Sequence, residues 1–139
     1  MMHSLFLAAV LFGSPQDVVT PKVGSPVRTQ VLDAFRAKTK GILKGKKVVF
    51  KVDHMKQLDD WVFFKGVGQN PDGSKLDYHG TEFQKAINDD MFEDWCCALF
   101  HRSKGKWKVI DWSWGGTDVS YDGWWDRHNA PRSIFPSYN

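Results

Sequence analysis

The stretch that decides the fold is residues 94–114, DWCCALFHRSKGKWKVIDWSW. It contains two runs of apolar and aromatic residues, 94–102 and 107–114, each of a length typical of a β-strand. Between them lie residues 103–106, a polar segment whose glycine suits a tight turn. The stretch therefore predicts an antiparallel β-hairpin.

A second hairpin is predicted upstream. Residues 47–55 and 61–67 are rich in β-branched and aromatic residues and are separated by a short acidic turn. The sequence Asn-Pro-Asp-Gly at 70–73 predicts a further turn, because Pro fixes φ and Gly permits a positive φ. Residues 76–91 have no clear period, so a short helix at 81–87 and an irregular excursion remain alternatives.

A helix is predicted before the strands. Ser25 suits the N-cap position and Pro26 suits the first helical position. Apolar residues then recur four positions apart through Val31 and Phe35, as on one face of an amphipathic helix of about four turns. The predicted fold class is α+β: one long N-terminal helix packed on a curled four-stranded antiparallel sheet, with a short C-terminal helix near residues 121–127.

The predicted strands lack the alternation expected of a sheet with one face in water. In the second strand, Trp61 and Phe63 would lie on one face while Val62 and Phe64 lie on the other. One helix covers one face only, so the second face needs a cover. In order of preference, the candidates are the C-terminal aromatic segment with the insertion at 76–92, a second copy in a homodimer, and a ligand.

The N-terminus contains an uncharged apolar run, LFLAAVLF at residues 5–12, which is shorter than the roughly 20 residues that cross a bilayer. It fits the central region of a secretory signal, although no Lys or Arg precedes it. A buried strand and an uncleaved anchor are the alternatives. We predict a signal peptide and linker over 1–24, a single α+β domain over 25–139, and export to the periplasm or the exterior, with no membrane association beyond this leader.

Composition fits one folded domain with a substantial core, since 42% of the 139 residues are hydrophobic and 25% are charged. The net charge is +3, and the densest basic stretch is Lys40, Lys44, Lys46 and Lys47. These lysines indicate either an anionic partner or solvated cations at the negative pole of the helix. We favour the second interpretation and predict no nucleic-acid partner, because no aromatic residue interleaves the lysines.

The two cysteines, Cys96 and Cys97, are adjacent and therefore cannot join distant parts of the chain. In a strand their side chains point to opposite faces of the sheet. A strained vicinal disulfide is the alternative to our interpretation, which is that both are small buried apolar residues.

The predicted arrangement resembles the cystatin-like and nuclear-transport-factor-2-like group of folds, in which a bent antiparallel sheet wraps one long helix. The resemblance covers about residues 25–114 and is one of architecture. Residues 106–111 (KWKVID), 116–119 (GTDV) and 129–131 (NAP) also resemble small bacterial exported proteins, a group that supplies no known activity. The larger pocket-forming members of the fold group have extra N-terminal helices, so the resemblance does not favour a deep enzymatic cavity here.

The sequence contains no His-Glu-x-x-His, no paired Cys-x-x-Cys, no glycine-rich phosphate loop and no Gly-x-Ser-x-Gly, so we expect no metal and no cofactor. Asp111 is the most interesting carboxylate, because it lies mid-strand among apolar residues and is a candidate general base. His101 is a second, weaker catalytic candidate. The alternative is that Asp111 faces outward and pairs across the hairpin.

Aromatic and polar residues near the C-terminus form a candidate binding set: Trp112, Trp114, Asp118, Trp124, Trp125, Arg127 and His128. Tryptophan faces suit a sugar ring or a peptide, although we favour the alternative that the rings near the C-terminus cover the open sheet face and that Asp118 caps the last helix. The leading hypothesis is a non-catalytic exported domain that binds a protein, peptide or glycan through an aromatic surface. The alternative is a small pocket enzyme with Asp111 as its general base.

Overall fold

The computed structural model describes residues 17–137, and the predicted signal segment at 5–12 lies outside them. The elements follow one another along the chain as helix α1 (Pro26–Thr39), strands β1 (Val49–Leu58) and β2 (Trp61–Gln69), a short helix α2 (Gln84–Asn88), strands β3 (Trp95–Ser103) and β4 (Lys106–Trp114), a short helix α3 (Trp124–Arg127) and a 3-10 turn (Arg132–Ile134).

Helix α1 begins where the sequence predicts. The Ser25 Oγ accepts a hydrogen bond from the Arg28 N–H at 3.3 Å, and Pro26 occupies the first helical position. Val31 and Phe35 are fully buried on the face that packs against the sheet. The helix is therefore held by its cap at one end and by its apolar face along its length.

The four strands form one open antiparallel sheet in the order β1-β2-β3-β4, which confirms the predicted α+β class. β1 begins two residues later than predicted and runs to Leu58. Before the helix, Val19 pairs with Gln57, the two residues exchanging backbone hydrogen bonds of 2.9 and 2.8 Å. Part of the predicted linker thus lies against the edge of β1.

One sheet face packs on α1 around the ring of Phe35. That ring lies within 6.5 Å, centroid to centroid, of five other aromatic rings: Phe50, Phe64, Phe100, Trp112 and Trp114. Leu76 and Tyr78 of the insertion are also buried in this helix-side cluster. The prediction that the insertion helps to cover the second sheet face is therefore wrong; its apolar side chains extend the helix-side core.

The second sheet face is covered by the chain's own C-terminal segment, as we predicted. Phe63, Cys97 and Leu99 of the sheet are fully buried beneath four residues of that segment: Tyr121, Trp124, Ile134 and Phe135. The Phe135 and Phe63 ring centroids are 4.5 Å apart. This tail-side cluster explains why the strands are apolar on both faces.

Two register shifts interrupt the alternation of side chains. Asp53 is unpaired in β1, so that Met55, 2% exposed, points toward the helix-side core. Ile110 is unpaired in β4 and 39% exposed, whereas Val109 and Trp112 both pack toward the helix. Uninterrupted alternation would have placed Ile110 and Trp112 on the same face; the extra residue changes which side chains share a face.

Candidate functional site

A cleft of about 740 Å³, which we name the Trp95 cleft, lies between the start of β3, the end of the insertion and the loop after β4. Its lining combines aromatic rings with charged groups of both signs: Tyr78, Phe92, Trp95 and Tyr121, with Lys65, Lys75, Glu93, Asp94 and Asp118. The volume falls in the range of sites that bind small ligands or short chain segments.

Trp95 is a half-buried aromatic residue of this lining, and three contacts fix its ring. The indole N–H donates to the carbonyl oxygen of Gly116 at 2.8 Å. The Lys65 ammonium lies 5.3 Å from the ring centroid, a cation–π contact. The Tyr121 ring stands at 89° to the indole with the centroids 6.2 Å apart. The ring is thus preorganised before any ligand arrives.

The loop after β4 approaches the cleft closely because it contains Gly115. This residue has φ +85°, and a Cβ built on it would lie 2.8 Å from the Phe92 ring. Its N–H donates to the carbonyl oxygen of Trp95 at 3.1 Å. A larger residue would push the loop away from the aromatic wall.

Tyr78 contributes a neutral polar group to the wall. Its hydroxyl accepts a hydrogen bond from the Trp114 indole N–H at 3.1 Å, and its ring centroid is 4.6 Å from that of Phe92. Burial raises the pKa of Tyr78 to about 12, so the hydroxyl stays protonated at neutral pH.

The charged residues that line the cleft do not form ion pairs with one another. Within residues 17–137, no ion pair involves any of Lys65, Lys75, Glu93, Asp94 or Asp118. Of the described residues that line the cleft, none is Ser, Cys or His. The arrangement can therefore pair with charges of both signs and pack against an apolar group, and it presents no serine or cysteine nucleophile.

Three of the predicted site residues converge elsewhere, on the tail side of β4. The Asp111 carboxylate accepts a hydrogen bond from His128 Nε2 at 2.7 Å, and an Arg127 Nη atom lies 3.4 Å from the same oxygen. The other Asp111 oxygen accepts from the Trp112 N–H at 2.9 Å. These contacts join the end of α3 to the sheet, and neither Asp111 nor His128 lines the Trp95 cleft.

The four predicted tryptophans are divided between the two faces of the sheet. Trp114 is 7% exposed and stacks on Phe35, and Trp112 packs in the same helix-side cluster. Trp124 is 3% exposed in the tail-side cluster, where Trp125 is half-buried. The four rings do not share one surface.

Asp118 lines the Trp95 cleft and does not cap the last helix, so that expectation is corrected. Helix α3 begins at Trp124, with Gly123 at the N-cap position and no side-chain cap. Five residues separate Asp118 from Trp124, whereas a capping side chain belongs to the residue directly before the helix. His101 packs its ring 4.4 Å from that of Trp61, centroid to centroid.

Both cysteines are free and fully buried on opposite sheet faces, as predicted. Burial raises the pKa of the Cys97 thiol to about 12 and that of Cys96 well above its ordinary value. Neither thiol is therefore an activated nucleophile.

Residues 17–137 contain no group of three or more His, Cys, Asp or Glu side chains placed to hold a metal ion. No helix among them is long and apolar enough to cross a bilayer. Compared with protein-family models, curated proteins and solved structures, the chain matches none.

Sequence reasoning missed Trp95, Tyr78 and Lys65 as site residues. The sequence offers only a weak signal for two of them: Tyr78 lies near the start of the insertion, and Trp95 directly follows the acidic pair at 93–94. Lys65 lies on a different strand, and only the pairing of β2 with β3 brings it beside Trp95.

Proposed function

We propose that this protein is a non-catalytic exported binding domain that takes a peptide segment into the Trp95 cleft. The observation that carries the proposal is the combination of a fixed aromatic wall with charges of both signs that have no ion-pair partner among the described residues. An extended peptide offers apolar side chains for the wall and charged groups for the rim.

A peptide fits this cleft better than a glycan does. Sugar rings stack on open aromatic faces, but the Lys65 ammonium already lies over the indole of Trp95. The rim holds two lysines and three carboxylates, and such groups select charged partners through complementary charge. Charge complementarity thus favours a peptide that has both an acidic and a basic residue.

Selection from a random peptide library, followed by affinity measurement on the enriched sequence, tests the proposal. The variant Lys65→Gln/Asp118→Asn should weaken binding about three- to tenfold, because exposed ion pairs contribute up to about 1 kcal/mol each. The matched control Asp59→Asn/Lys104→Gln makes the same chemical changes in the turns of the two hairpins, away from the cleft lining. If the library yields no enriched peptide and the protein binds sugars on a glycan array, peptide binding is wrong and the cleft binds a glycan.

The hydrogen bond between Asp111 and His128 favours a second candidate, a small enzyme. In that arrangement His128 would be the base and Asp111 would hold its ring in place, as in other carboxylate–histidine pairs. If the contact instead anchors the tail, Asp111→Asn should lower the free energy of unfolding by about 1 kcal/mol. Turnover of chromogenic ester, phosphoester or glycoside substrates, lost in a folded Asp111→Asn protein, would establish the enzyme.

Export, a homodimer and the likeness to cystatin-like and nuclear-transport-factor-2-like folds stay predictions. Export is supported by the apolar run at residues 5–12. The mass of the protein recovered from the exported fraction of its host shows whether a leader has been removed. Light scattering on the purified protein gives its oligomeric state.

A further inference from the structure

A second concave surface, the basic groove, lies between the end of α1, the loop that follows it and the start of β1, and has a volume of about 450 Å³. Besides Thr39 and Gly45, its lining consists of apolar and cationic residues: Ala37, Leu43, Val48, Val49 and Pro71, with Arg36, Lys40, Lys46 and Lys47. It shares no lining residue with the Trp95 cleft.

The floor of the groove is built into the core. Leu43 is 3% exposed and Val48 is 8% exposed, and both belong to the helix-side cluster. The loop turns back after α1 because Lys44 and Gly45 adopt left-handed φ values of 52° and 74°. The floor therefore keeps its shape without a ligand, whereas Val49 at its edge is 36% exposed.

The cations around the groove are not needed to cap the helix. The carbonyl oxygens of Thr39 and Lys40 already accept hydrogen bonds from the N–H groups of Ile42 and Gly45, at 3.1 and 3.2 Å. Lys40, Lys46 and Lys47 are exposed and add positive charge at this end of the helix, where the negative pole of the helix dipole also favours cations.

Lys40 and Lys47 have no carboxylate within ion-pair distance among residues 17–137. Arg36 is engaged by Asp33 and by the carbonyl oxygen of Val48. No acidic residue is part of the described lining. The groove thus combines an apolar floor with a positively charged rim, in which Lys40 and Lys47 have no ion-pair partner among residues 17–137.

We propose that the basic groove binds a free, single-chain amphiphilic anion, with a medium-length acyl carboxylate as the chemical type. The chain lies on the floor formed by Leu43, Val48 and Val49, and the carboxylate pairs with Lys40 and Lys47. The described lining contains no aromatic residue on which a nucleic-acid base could stack. The floor is concave and apolar, which suits one alkyl chain better than a planar lipid surface.

Isothermal titration with octanoate, decanoate and dodecanoate below their micelle concentrations tests the proposal. Affinity should rise with each added methylene, by up to about fourfold, which is the gain expected for a fully buried methylene. Decan-1-ol and decyltrimethylammonium should bind at least tenfold more weakly than decanoate. Equal affinity for the acid, the alcohol and the cation would overturn the proposal.

Substitutions test the cationic rim of the groove separately from its apolar floor. Lys40→Gln/Lys47→Gln should weaken decanoate binding about tenfold, while the matched control Lys104→Gln/Lys106→Gln, in the β3–β4 turn and at the first residue of β4, leaves it unchanged. Circular dichroism and thermal melting establish that both double variants are folded. Unchanged decanoate affinity in the Lys40/Lys47 variant overturns the proposal.

Val49→Asp should abolish binding, because it places a negative charge at the edge of the floor. Since Val49 is partly exposed, this variant should fold.

Vesicles of phosphatidylglycerol provide the last arm of the experiment. Binding to these vesicles without binding to monomeric decanoate would show a membrane-surface site and overturn the proposal.

Discussion

Replacing Phe135 by alanine tests whether the C-terminal segment is an integral cover of the second sheet face. Phe135 is 4% exposed, and its ring lies 4.5 Å from that of Phe63 and 5.2 Å from that of Trp125, centroid to centroid. Truncation of a buried Phe to Ala costs about 3–5 kcal/mol. We expect a loss near the lower limit of this range, about 3 kcal/mol.

A loss of this size is a large fraction of the roughly 5–15 kcal/mol that stabilises a typical domain. Urea denaturation followed by circular dichroism measures it, and the melting temperature should fall by about 10 °C. The control is Val23→Ala, whose side chain is 82% exposed and whose cost should stay within about 0.5 kcal/mol. A loss below about 1 kcal/mol for Phe135→Ala would refute the tail as a structural cover.

Three further properties follow from the packing. His54 Nε2 donates to the Ile134 carbonyl oxygen at 2.7 Å, and burial lowers the pKa of His54 below 6.5, so the unfolded state binds the proton more readily than the folded state. The free energy of unfolding should therefore be highest above about pH 7.5 and fall as the pH drops through about 6.5. Melting curves recorded against pH should show a smaller fall for His54→Gln. Gly68→Ala should cost about 1–3 kcal/mol in urea denaturation, because its Cβ would lie 2.7 Å from the Trp114 ring, whereas Gly41→Ala has open space and should be close to neutral. A thiol reagent should leave both cysteines unmodified in the native protein and modify both in denaturant; rapid reaction in the native protein would contradict their burial.

The fold was predictable from the sequence wherever the signals are local. Ser25 and Pro26 act within one helical turn, and the turn at 70–73 depends on the φ preferences of its own residues. Strand lengths and the order of elements followed from runs of apolar residues. The apolar character of both sheet faces also indicated a second cover, which the tail provides.

The site was less predictable because it depends on contacts between distant segments. The unpaired residues Asp53 and Ile110 have no local signature, yet each changes which side chains share a face. Asp111 and His128 are 17 residues apart and meet only because the tail docks on the sheet. The Trp95 cleft is assembled from β2, the insertion, β3 and the loop after β4, so no single stretch of sequence describes it.

Binding in the Trp95 cleft is tested most directly by the side-chain N–H signals of the seven tryptophans in a proton–nitrogen correlation spectrum. Trp124 lies in the tail-side cluster and Trp125 packs beside the tail, so these two rings serve as internal references. When the selected peptide is added, the indole signal of Trp95 should move most while those two stay in place. A peptide that shifts Trp125 and leaves Trp95 unmoved would contradict the assignment of this cleft as the binding site.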